Sequence, residues 1–97
     1  MELKIEHKEK VIVIIHMFLP DAKIYLFGSY ARGDFNRLSD VDIAIDTGEK
    51  IPFHLKGQII EMINALNLVQ RVDIVDFQRA PVALKESILK EGFVWAK

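Results

Sequence analysis

The sequence predicts an α+β fold, a small mixed β-sheet with helices packed on it. Three observations carry that prediction. Short runs rich in β-branched and aromatic residues occur at 23–27, 40–46 and 68–77, and they read as strands. Longer stretches with helical apolar spacing occur at 2–19, 53–66 and 81–91. The 97 residues are half apolar, which is enough for one small core and makes residues 1–97 a single domain.

The first helix, 2–19, has a charged first half (Glu2, Lys4, Glu6, Lys8, Glu9, Lys10) and an almost continuously apolar second half. The run from Val11 to Ile15 alone would suit a strand, but its length and the stop at Pro20-Asp21 favour a helix. A helix apolar nearly all round must be buried on more than one side, by the domain itself or by a partner. His16 lies in this run and reads as a packed core or edge histidine; neither His7 nor His54 has metal-ligand spacing with it.

Residues 23–27 form the first strand, which ends at Gly28. Glycine there permits unusual dihedrals and lets a ligand approach the backbone closely. Ser29 can cap the short helical turn that follows and can offer a hydroxyl to a phosphate oxygen. The free N–H groups of that turn favour an anion, and Arg32 is placed to reach it. No Gly-Lys-Ser/Thr follows, so this is not a P-loop. A polar loop, 33–39, leads to the second strand.

On that strand Asp40 and Asp42 project from one face, while Val41, Ile43 and Ile45 project from the other, the core face. Adjacent carboxylates raise each other's pKa unless a cation sits between them, and carboxylate oxygens with substrate phosphates are the usual holders of magnesium. An isolated Asp-x-Asp is more often simply solvated; the Gly-Ser turn after an upstream strand favours a site. Thr47-Gly48-Glu49 ends the strand, and Pro52 stands near the start of the next helix, whose apolar face belongs to the core. On the third strand Asp73 faces opposite to Val72 and Ile74, a costly placement for a charge unless it is paired or metal-bound. Asp76 reads instead as a turn or helix-capping residue. Pro81 opens the last helix and Gly92 stops it. Phe93–Ala96 is either a short fourth strand or a docking tail, with Trp95 read as core packing.

Gly28-Ser29, ten intervening residues, Asp40-Val41-Asp42 and the later Val72-Asp73-Ile74-Val75 together resemble the DNA polymerase β-like nucleotidyltransferase superfamily, and within it the minimal nucleotidyltransferases (MNT) often encoded beside HEPN-domain toxins. The resemblance runs from about Tyr25 to Phe77. Tyr30 departs from a common form of the motif, which has arginine after the serine; Arg32 and Gly33 match. The resemblance implies the polymerase β-like fold, with Asp40, Asp42 and Asp73 on adjacent strands of a mixed sheet. It implies ATP as substrate, its phosphates at Gly28, Ser29 and Arg32. It also implies two Mg2+ ions (or Mn2+) held by Asp40, Asp42 and Asp73, the catalytic carboxylates, with Asp73 assisting removal of the acceptor's proton. The implied activity is transfer of AMP to a tyrosine of a HEPN-type RNase toxin, making the protein an antitoxin in a hetero-oligomer. Two alternatives stay open: a non-catalytic module that neutralises a HEPN partner by occlusion, and a nucleotidyltransferase acting on RNA or a small molecule.

The composition bounds the remaining classes. A net charge of −1 argues against general nucleic-acid binding, which usually shows a basic surplus. No cysteine is present, so disulfides and thiolate metal sites are excluded. The start lacks a signal-peptide pattern and no apolar run would span a bilayer, so the expectation is a cytoplasmic protein without a membrane partner.

Overall fold

The structure, a computed structural model, describes residues 5–34 and 40–96, with side chains from residue 7 onward. The loop expected over 33–39 lies largely outside these residues, as do the first residues of the expected N-terminal helix. The elements run α1 (Ile5–Phe18), β1 (Lys23–Phe27), α2 (Ser29–Arg32), β2 (Val41–Asp46), α3 (Phe53–Asn64), β3 (Val72–Asp76), a 3-10 turn (Phe77–Arg79), α4 (Val82–Glu91) and β4 (Phe93–Ala96).

Among the described residues four strands make one sheet in the order β3-β2-β1-β4. β1 pairs antiparallel with β2 and with β4, and β2 pairs parallel with β3, so the sheet is mixed as expected. The tail Phe93–Ala96 is therefore a strand. A register shift opposite Ile24 and Tyr25 leaves Trp95 without a cross-strand partner. Such a bulge lets Trp95 pack, with Ala96, against the larger core cluster.

Period-two alternation sorts the strands into two faces. Ile24 and Leu26 of β1, Val41, Ile43 and Ile45 of β2, and Val72 and Ile74 of β3 point to one face, under Val11, Ile14 and Ile15 of α1 and Ile59 and Ile63 of α3. Ile43 and Ile45 are wholly buried here, each contributing about 1.5–3 kcal/mol of hydrophobic stabilisation. The opposite face carries a smaller cluster of Tyr25, Ala44, Phe77 and Ile88, with Phe27, Val75 and Leu84 beside it. Tyr25 and Phe77 stack with ring centroids 5.7 Å apart. This second cluster fixes α4 over part of that face.

The apolar run of α1 is only partly covered by its own chain: Val13 and Met17 remain 57% and 64% exposed. His16 is half-buried, and its Nε2 lies 3.0 Å from the carbonyl of Ala22 at the start of β1, the packed edge histidine expected.

The third strand is shorter than the 68–77 read from residue type. Asn67 takes a left-handed φ of 53°, and pairing with β2 begins only at Val72, opposite Val41. At the other end Phe77 leaves the strand for the 3-10 turn, which Asp76 caps by accepting from Gln78 N at 3.1 Å. The second Asp76 oxygen accepts from Ile51 N at 2.8 Å, tying the β2–α3 connection to the end of β3.

Candidate active site

The site lies where β1 ends and β2 and β3 begin. Phe27 pairs with Asp42 across β1–β2, and Asp42 pairs with Asp73 across β2–β3. These residues form one row on the second face, next to the row Tyr25, Ala44 and Val75 that borders α4. Asp42 thus stands on a central strand with its carboxyl half-buried, and Asp73 stands beside it. Asp40 immediately precedes β2; the strand begins at Val41, one residue later than expected.

Gly28 connects this row to α2. Its φ of 74° and ψ of −153° lie in a region open essentially to glycine alone. A Cβ there would also collide with Asp42 Oδ2 and sit 3.1 Å from the Asp42 carboxyl carbon. Both the backbone and the neighbouring carboxylate demand the missing side chain. Gly28, not Ser29, takes the N-cap position of α2, and no side-chain capping bond is made, which corrects the capping role expected for Ser29. Ser29 is the first residue of the helical turn, and its carbonyl accepts from Gly33 N at 2.9 Å. Tyr30 is buried in the larger core, so the position that departs from the common motif serves packing.

Burial raises the pKa of Asp42, and the carboxylates of Asp73 and then Asp40 raise it further, while the Arg32 guanidinium pulls it back. The three aspartates and Arg32 are therefore within electrostatic reach of one point. Arg32 Nε donates to Asp34 Oδ2 at 3.2 Å, and its Nη1 lies 3.7 Å from Glu91 Oε2 on α4. Arg71 Nε lies 3.2 Å from Asp73 Oδ1. Sequence reasoning passed over these three partners. Arg71 stands two residues before Asp73, a spacing that could have flagged it, as could that of Asp34 after Arg32. Nothing in the sequence placed Glu91 near Arg32.

Among the described residues, no group of three or more His, Asp or Glu side chains stands as a set that could hold a metal ion. The donor chemistry nevertheless fits a hard divalent cation. Asp42 and Asp73 are paired oxygen donors on adjacent strands, and the like-charge pressure that raises the Asp42 pKa is what such an ion relieves.

The mixed sheet with its helices, bearing this carboxylate row beside a Gly-Ser turn, is the fold of a nucleotidyltransferase. The chain belongs to the polymerase beta nucleotidyltransferase family, whose sequence model matches residues 9–95. It is 40% identical over 70 residues to the protein adenylyltransferase MntA of Thermococcus cleftensis, a match spanning 71% of this chain and 69% of that protein. A crystal structure of a toxin–antitoxin with AMP-PNP contains a chain matching with a TM-score of 0.76 at 28% identity, over 92% of this chain and 72% of that one. A structure of tri-AMPylated Shewanella oneidensis HEPN toxin in complex with MNT antitoxin matches with a TM-score of 0.71 at 25% identity, over 94% of this chain and 70% of its own.

Proposed function

We propose that the chain transfers AMP from ATP to a hydroxyl of a HEPN-type toxin, the acceptor being a tyrosine, and so acts as its antitoxin. The observation that carries this reading is the direct pairing of Asp42 with Asp73 beside the constrained turn at Gly28. The relatives are named for protein adenylylation, and the similar complexes hold AMP-PNP in one case and an AMPylated HEPN toxin in the other.

In this reading the acceptor oxygen attacks the α-phosphorus of ATP. The bond from that phosphorus to the bridging oxygen of the β-phosphate breaks, and pyrophosphate leaves. Gly28 lets the triphosphate lie against the backbone, Ser29 offers its hydroxyl, and Arg32 opposes phosphate charge. Asp42 and Asp73, paired on adjacent strands, would hold Mg2+, with Mn2+ as a substitute, and Asp40, just before β2, would complete the set as the ion binds. The bound ions would supply charge neutralisation on the phosphates and activation of the attacking hydroxyl. Asp73 accepts the proton released by that hydroxyl. The chain's own contribution is positioning and a fixed electrostatic field, which need no covalent intermediate.

Among the described residues no helix is long and apolar enough to cross a membrane. An ATP-consuming reaction on an RNase toxin belongs in the cytoplasm, where we place it.

The test incubates the purified chain with ATP labelled on its α-phosphate and Mg2+, with and without the HEPN partner, comparing wild type with Asp42→Asn. Label on the partner with wild type only is expected, with transfer by Asp42→Asn reduced at least about a hundredfold. Equal transfer by both proteins, or none by wild type while a stable complex forms, would overturn the catalytic reading.

A further inference from the structure

We propose that Glu91, the last residue of α4, is a positioning residue for the nucleotide, acting through Arg32. The inference rests on the reading above, in which Arg32 opposes the triphosphate.

Glu91 is poorly placed for its own helix. A carboxylate in the last turn faces the negative end of the helix dipole, where lysine or arginine is favoured. Its compensation is across the fold, in the Arg32 guanidinium at 3.7 Å. The position is also well fixed. Ile88, one turn earlier, is wholly buried in the cluster with Tyr25, Ala44 and Phe77. The next residue, Gly92, bonds back to Ile88 O at 2.9 Å. A Cβ at Gly92 would stand 2.6 Å from Ile88 O, 2.8 Å from Leu26 O and 3.3 Å from Phe27 Cβ. The end of α4 is thus seated on the end of β1, directly before Gly28.

Arg32 consequently has two carboxylate anchors, Asp34 at Nε and Glu91 at Nη1. Arginine presents five N–H donors in a planar fork, so the Nε hydrogen bond and the Nη1 ion pair bias its orientation and leave donors for a phosphate oxygen. Asp34 belongs to the same short segment as Arg32. Glu91 refers the guanidinium to α4 and, through the packed cluster, to the sheet whose Asp42 the same guanidinium faces. With Glu91 removed, the side chain must be ordered by the nucleotide itself, which weakens binding.

The experiment measures equilibrium binding of AMP-PNP with Mg2+, and the melting temperature, for wild type, Glu91→Gln, Arg32→Gln and the double variant. Glu91→Gln is expected to bind about threefold to tenfold more weakly than wild type, the scale of ordering one long side chain. Its melting temperature should stay near wild type, since the lost ion pair is offset by relief at the helix end. In the Arg32→Gln background the same change should have no further effect. Wild-type or tighter binding by Glu91→Gln, with Arg32→Gln weakened, would overturn the role of Glu91 alone. Additive losses in the double variant would do the same. Wild-type binding by Arg32→Gln would instead overturn the phosphate role of Arg32 itself.

Discussion

Asp42 shows how a partly buried carboxylate beside two others costs the fold stability. Its carboxyl is pushed above the ordinary value of 3.8 first by burial, then by Asp73 and Asp40. Between that ordinary value and the raised one, the folded state holds more protons than the unfolded state. Stability therefore falls as pH rises through this window. Above the window the penalty is fully present; below it the penalty is gone. The metal-free Asp42→Asn variant should accordingly melt at a higher temperature than wild type near neutral pH, and the difference should shrink as pH falls towards 3.8. Melting curves of both proteins across that range, with a chelator present, check this; a gain independent of pH would mean that the carboxylate charge is not its source. The placement of this residue against the Gly28 turn was legible in the sequence because its pattern is local, in the spacing from Gly28-Ser29 to Asp40-Val41-Asp42. Glu91 was not, because its partner is chosen by how α4 crosses the sheet.

At the scale of elements, the strands and helices followed from residue type and periodicity, while their ends followed from partners the sequence does not name. β3 begins where Val41 is available to pair with Val72, and no local signal at Leu68–Arg71 says so. The order β3-β2-β1-β4 was likewise illegible, since it joins segments distant in the chain. Asp76 was read as a cap from the Gln78-Arg79-Ala80-Pro81 that follows, and it is one, but its larger task is invisible locally. Asp76 is 3% exposed. It accepts from Ile51 N and Gln78 N and lies 3.4 Å from Arg79 Nε. It thereby fastens the entry to α3 onto the end of β3. Asp76→Ala would leave two backbone donors without their acceptor, one of them buried. The expected cost is about 2–4 kcal/mol, or roughly 10–20 °C in melting temperature for a domain of this size. Chemical denaturation measures it; a loss under about 0.5 kcal/mol, the level of an ordinary surface change, would show that the clasp does not hold these elements together.

At the scale of the molecule, the candidate site is a junction of several elements. It takes Gly28 from the end of β1, Arg32 from α2, Asp42 from β2, Asp73 from β3 and Glu91 from the end of α4. Unfolding scatters these groups, so a ligand that needs several of them binds the native state alone. Such a ligand stabilises by mass action, about 2.7 kcal/mol at a hundred times its dissociation constant. For a domain of this length that is a rise of roughly 10–20 °C in melting temperature. Mg2+ with AMP-PNP should therefore raise the melting temperature of the wild-type chain by this order. The shift should be largely lost in Asp42→Asn, although that variant starts from the more stable metal-free fold. The two effects have opposite signs at one residue, so a general change in stability cannot imitate them. Thermal melts with and without the nucleotide decide the matter. An equal shift in both proteins would place the nucleotide away from the Asp42–Asp73 pair, and the assignment of the carboxylate row as the place of chemistry would fall with it.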